Sequence, residues 1–288
     1  MADKKIIFIF TTIIILNVFF YTYILASEKE KTAVYFLNVG QGDAEMAVLS
    51  GRGKAARILI DGGPNRKVLE ELSKIMPFFS KRIDLIFISH PQEDHIGGIS
   101  YVVESFKTGG FVSNGEIGKG EAWEKMEMTL EKDGIKIIVL AVGDKVKYGE
   151  SEILILNPEA GKKTEMNENS LVFLLKNPKM NVIFTGDIGK ETEEKIYNNL
   201  QKNGEKAEID VLKVAHHGSK NSSSEDFITI LKPKVSVIEV GKNSYGHPTE
   251  EVLNRLAEIK SLIFRTDENG TIKIEAGEDK KIKVLKIE

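Results

Sequence analysis

The chain contains no cysteine. Disulfide frameworks, thiolate metal sites and cysteine nucleophiles are therefore excluded, and histidine and carboxylate remain as the strong metal ligands. Basic charge is not in excess either: 40 lysines and arginines stand against 43 acidic residues, for a formal net charge of -3. That balance excludes a general electrostatic grip on nucleic acid, so any such contact must come from a local patch. There is also no low-complexity linker, and nothing after the first 27 residues marks a domain boundary.

A long uncharged apolar run occurs at the start of the chain. Residues 6–25, IIFIFTTIIILNVFFYTYIL, follow Lys4 and Lys5 and as a helix are long enough to cross ~30 Å of hydrocarbon. Residues 1–27 are expected to anchor the chain in a membrane, and residues 28–288 to form one folded domain outside the cytoplasm. The competing reading is a secretory signal segment, which after cleavage would leave the domain secreted. The length of the run and the bulky Ile24 and Leu25 favour the uncleaved anchor.

Beyond Ala33 the pattern changes to short β-rich runs punctuated by glycine: AVYFLNVG, MAVLSG and ARILIDGG. Helical spacing follows in residues 66–75, and DLIFISH reads as a strand that delivers His90 into a loop. Residues 109–150 carry turn signals and two strand-like runs, KIIVLAV and KVKYG. LVFLLK, NVIFTGD, DVLKVAHHGS, VSVIEVG, SLIFRT and TIKIEA continue as strands, with helices at about 190–201, 224–231 and 249–259. The expected fold is α/β in four layers, αββα: two sheets packed face to face with helices outside.

All five histidines, His90, His95, His216, His217 and His247, fall at predicted strand ends or in glycine-rich loops. Open α/β folds place their sites there, so the clustering points to chemistry rather than packing. In the densest group, His90, Asp94 and His95, a short loop can aim imidazole and carboxylate at one ion such as zinc or manganese. Asp187 ends another strand, where it could bridge two ions. Asp61, before Gly62 and Gly63, reads either as a turn aspartate or as a residue that orients a ligand by hydrogen bonding.

ILIDGG, SHPQEDHIGG, VIFTGD and KVAHHGS occur in the order of the metallo-β-lactamase superfamily motifs. With FLNVGQGDA, NENSLVFLL, NSYGHPTEEVLNRL and FRTDENGTI, the chain resembles the extracytoplasmic hydrolase domain of ComEC-type competence proteins. The resemblance implies that His90 binds one metal, Asp94 and His95 bind another, Asp187 bridges them and His217 completes the second site. His216 then stands as a neighbour or an alternative ligand, and Asn169 takes the place where many relatives have a further histidine. Gln92 stands where relatives have aspartate or histidine, so the first metal has a neutral, weaker ligand.

The activity implied is hydrolysis of a phosphodiester by metal-activated water, with one or two divalent ions, on DNA or another nucleic acid. Asp94 would orient the water, and His247 would contact the phosphate or protonate the leaving group; a loop-packing role is the alternative for His247. Ser219, Lys220 and Asn243 are the candidate phosphate contacts, with Asn169 also on the substrate-binding side, although a serine of this segment would also cap the next helix. Lys213, Lys220, Lys234 and Lys242 read either as a basic rim or as an ordinary solvated face. Other phosphodiesters or esters, such as a choline-phosphate or envelope polymer, are the alternative substrates. A non-catalytic tethered binding module is the reading from another class.

Overall fold

The structure, a computed structural model, describes residues 2–27, 30–51, 53–77, 80–162, 164–202, 208–277 and 281–287. The expected domain start at residue 28 lies outside the described residues. Ala2–Ser27 forms one helix, whose window Lys4–Thr22 has mean hydropathy 2.0 and no burial. By length and composition it can cross a membrane.

The remainder is built on two sheets. In the first, eight strands run in the order Ile282–Ile287, Thr271–Ala276, Ala33–Phe36, Glu45–Leu49, Ala56–Ile60, Leu85–Phe87, Phe111–Ser113 and Ile137–Val139. Seven strands make the second: Leu262–Arg265, Val235–Ile238, Val211–Lys213, Met180–Phe184, Val172–Asn177, Ser151–Asn157 and Lys145–Tyr148. Alternation fixes which face each residue serves. Ile58 and Ile60 turn inward to meet Phe173, Val182 and Phe184 between the sheets, while Leu59 turns outward to pack beneath helices through Val68, Ile99 and Val102. The aromatic contacts of the inter-sheet core run from Phe87 to Phe173 at 5.3 Å and from Phe173 to Phe184 at 4.8 Å. Each such buried ring contributes roughly 1.5–3 kcal/mol. The outer face of the second sheet is covered through Ile196, Leu200, Phe227, Ile228, Val252 and Leu256. The layers are therefore αββα, as expected.

Two segments differ from the sequence reading. Residues 109–150 include the helix Glu121–Lys132, which buries Trp123, Met126 and Leu130 at three- and four-residue spacing. KIIVLAV is extended only over Ile137–Val139, an exposed edge strand. The strand ahead of the histidine pair also stops early, at Lys213, and His216 and His217 sit in a tight turn with φ of 50° and 53°.

The parallel strands of both sheets set up the site. Ala56–Ile60, Leu85–Phe87 and Phe111–Ser113 run in one direction, as do Met180–Phe184, Val211–Lys213 and Val235–Ile238. Their following loops collect at one end of the sandwich, where an open α/β sheet leaves room for a ligand.

Candidate metal centre

Three loops are tied together by main-chain hydrogen bonds before any side chain contributes. The amide of Gly62 donates to the carbonyl of His95 at 2.7 Å, Gly98 donates to Gly63 at 2.9 Å, and Asp43 donates to Asp94 at 3.2 Å. A side chain on Gly42 would collide with the carbonyl of Asp94, and Gly42 has φ of 136°, so this approach requires glycine. The turn bearing His216 and His217 is pinned in turn by the bond from the His216 amide to the carbonyl of Gly186, 3.2 Å.

Within this frame the histidines are held from behind. The Nδ1 of His95 lies 2.8 Å from Asp61 Oδ2, which also accepts from the hydroxyl of Ser89 at 2.6 Å. His90 Nδ1 lies 2.9 Å from the same hydroxyl, and His217 Nδ1 lies 2.8 Å from the carbonyl of Glu239. With each Nδ1 engaged, the Nε2 atoms are left to face the cavity. Those of His90 and His95 are buried without a hydrogen-bond partner, and so are both carboxylate oxygens of Asp187. Asp187 Oδ2 is the meeting point: His95, His216 and His217 present Nε2 to it at 3.6, 3.7 and 3.7 Å.

Buried polar atoms are costly to leave unpaired, and here they converge. His90, His95 and Asp187 offer ligand atoms within 4.8 Å of one another, as do Asp94, His95 and His217. The surrounding field points the same way. Burial disfavours charge on His217, yet Asp187 and Asp43 outweigh it and raise the imidazole to about 10. His95 is held well above its usual range against the same burial, by Asp187, Asp94 and Asp61. Burial and the neighbouring His95 push His90 the other way, down to about 4, so it is the carboxylates around His95 and His217 that attract a cation, and imidazole with carboxylate is a donor set for a divalent metal. The residues present therefore fit such an ion.

The remaining expected residues divide. Asp94 and Gln92 line a cavity of about 450 Å³ together with His216, His217, Tyr245 and His247. Asp94 Oδ2 lies 3.3 Å from His217 Nε2, and Gln92 donates its amide to Asn167 Oδ1 at 2.6 Å. Asn167 lines the cavity, whereas Asn169 is 6% exposed and its carbonyl is taken by Asn114. Ser219 is buried and Lys220 exposed. Asn243, expected at the phosphate, uses its side chain within its own loop: Oδ1 accepts from the amides of Tyr245 and His247, and Nδ2 donates to the carbonyls of Gly241 and His247.

A basic rim of four lysines does not form. Lys234 pairs with Asp210 at 2.6 Å, and Lys213 is buried against Asp43. Asp43, Glu45, Lys213 and Glu239 form a charged cluster beneath the site that the sequence reading missed. Its signal was a lone charge inside an apolar strand, as in DVLKVA and VSVIEVG.

Two face-packed sheets with a histidine–aspartate pocket at their strand ends define a metal-dependent hydrolase fold, one that binds divalent metals. The chain belongs to the metallo-β-lactamase superfamily, whose profile, described as Metallo-beta-lactamase superfamily, matches residues 46–241. It is 32% identical over 271 residues to ComE operon protein 3 of Bacillus subtilis, covering 86% of this chain and 33% of that protein. To the competence protein ComA of Neisseria gonorrhoeae it is 27% identical over 259 residues, covering 88% and 33%. The chain thus spans about a third of the length of these curated relatives. Among solved structures, the metallo-beta-lactamase fold protein YhfI from Bacillus subtilis superposes with a TM-score of 0.56 at 12% identity, over 89% of this chain and all of that one.

Asp61 gives a direct test of how the histidines are held. Asp61→Asn keeps the shape but offers an amide end to His95, so divalent-metal affinity should fall about 10- to 100-fold, measured by competition against a chromophoric chelator. An affinity within twofold of the parent would show that Asp61 only makes the turn.

Proposed function

We propose that the chain is a membrane-tethered, extracytoplasmic phosphodiesterase acting on DNA or another nucleic acid. The observation that carries the reading is the convergence of partnerless buried atoms from His90, His95 and Asp187 beside Asp94 and His217. His90 and Gln92 would hold one zinc or manganese ion, Asp94, His95 and His217 the other, with Asp187 between them and His216 on the solvent side. When bound, such ions supply an activated water and neutralise charge on the transferring oxygens.

The chain's own groups do the rest. The side chain of Asp94 is 31% exposed at the cavity wall and would orient the attacking water. His247 lines the same cavity, its ring 5.7 Å from that of His216 at 80°, and would protonate the leaving oxygen. Lys220, exposed three residues after His217, would contact a substrate phosphate. The likeness to competence proteins supports a nucleic acid as the substrate, and the apolar helix Ala2–Ser27 supports the tether.

The full chain in detergent, supplied with manganese or zinc, should cleave DNA or RNA and bis(p-nitrophenyl) phosphate. Asp94→Ala and His217→Ala should each lower the rate by a factor on the order of 10² or more. Cleavage of the small diester alone would assign the site to a different phosphodiester. Metal binding with no hydrolysis of any diester would make the domain a binding module.

A further inference from the structure

The loop over residues 242–248 carries a feature that metal chemistry does not require. Tyr245 is 73% exposed, and among the described residues outside the N-terminal helix no other aromatic side chain is as open to solvent. It stands at the mouth of the polar cavity. A solitary exposed ring elsewhere on a surface would call for no account, but here position and rigidity set it apart.

The ring is presented by a braced loop. The side chain of Asn243 accepts from the amides of Tyr245 and His247, each at 3.1 Å, and donates to the carbonyls of Gly241 and His247 at 2.9 and 2.8 Å. A tyrosine with few rotatable bonds on a pre-ordered loop loses little entropy when a flat ligand settles on it. From Tyr245 a line of rings leads inward. Its ring lies 5.8 Å from that of His247 at 32°, His247 lies 5.7 Å from His216 at 80°, and His216 Nε2 reaches Asp187 Oδ2 at 3.7 Å.

We infer that Tyr245 is a base-stacking platform and that the substrate strand reaches the site unpaired, with one base on this ring while the neighbouring phosphate enters among the histidines. This rests on the phosphodiesterase reading above. In a duplex both faces of a base are covered by its neighbours, so a protruding ring meets only groove edges; in a single strand a π-face is free. The cavity, about 450 Å³, is of small-ligand size and suits one nucleotide. Recognition through a π-face reads no base edge, so the platform accepts any base.

Binding separates this inference from the hydrolytic reading. Fluorescence anisotropy on the full chain in detergent would compare a short single-stranded oligodeoxynucleotide, its duplex, and the same strand with abasic sites. Tyr245→Ala should weaken single-strand binding by about 5- to 100-fold, the loss expected for one base–aromatic stack, and Tyr245→Trp should restore it. The abasic strand and the duplex should bind weakly and equally to parent and variant. Unchanged single-strand affinity in Tyr245→Ala, or an equal loss on the abasic strand, would overturn the platform even if diesters are cleaved. If the stacking pattern appears and no diester is hydrolysed, the phosphodiesterase reading falls and Tyr245 stands only as a platform for binding a single strand.

Discussion

Asp187→Asn is expected to fold normally, to bind less divalent metal per chain, and to lose hydrolysis by a factor on the order of 10³. No other carboxylate in the site faces so many basic side chains. Its Oδ2 receives three imidazole Nε2 atoms at 3.6–3.7 Å, and its Oδ1 lies 4.0 Å from the ammonium of Lys213. The amide of asparagine has the same outline but carries no charge, and its donor end cannot ligate a cation. His216→Ala provides the contrast. That imidazole is 33% exposed and makes its closest approach to Asp187 from the solvent side, so its loss should cost far less metal than His217→Ala. Metal analysis and turnover on the same preparations decide the matter, with cooperative unfolding as the control for folding. Unchanged stoichiometry together with activity within tenfold of the parent would remove Asp187 from the centre.

Much of the site was legible because each contributing segment carries its own local signal. ILIDGG, IFISH and VIFTGD are apolar runs that end on a histidine or a carboxylate beside a glycine or at a turn, and a strand that stops there presents its last side chain to a cavity. The two readings of Asp61 also turn out to be compatible. Its φ of 51° makes the turn, and the same turn aims its carboxylate at Ser89 and His95. Legibility ended where the partner is remote in sequence. Lys213 and Asp43 are 170 residues apart, and Glu239 accepts from the amide of Ala44 across 195. No periodicity relates such positions, so Lys213 read as a surface lysine. The helix Glu121–Lys132 was obscured for a local reason: Gly118, Gly120 and Gly134 crowd its ends, and of its apolar side chains only Trp123, Met126 and Leu130 are buried.

Lys213→Met should destabilise the metal-free chain by about 3–5 kcal/mol, the cost typical of removing one partner from a buried ion pair. Lys213 is 1% exposed, bonded to Asp43 Oδ2 and to the carbonyl of Gly186 at 3.3 Å. Burial opposes its charge, yet Asp43, Asp187, Glu45 and Glu239 outweigh burial and keep the ammonium protonated. The two glutamates are the weaker counter-ions. Burial, with Asp43 nearby, raises Glu45 to about 8, and burial with Glu45 and Asp43 holds Glu239 well above the usual range, so the pair retains a proton at neutral pH. Asp43 is therefore the charge that loses its ammonium when the lysine goes, keeping only the imidazoles of His217 and His95 nearby. It also stands 3.2 Å from His217 Nδ1, which couples the cluster to the site above, so metal affinity should weaken along with stability. Asp43→Asn in the Lys213→Met background removes the stranded charge and should recover more than half of the lost stability in urea unfolding. If the single variant unfolds within about 1 kcal/mol of the parent, or the double variant loses the sum of both single effects, the lysine carries no such charge balance.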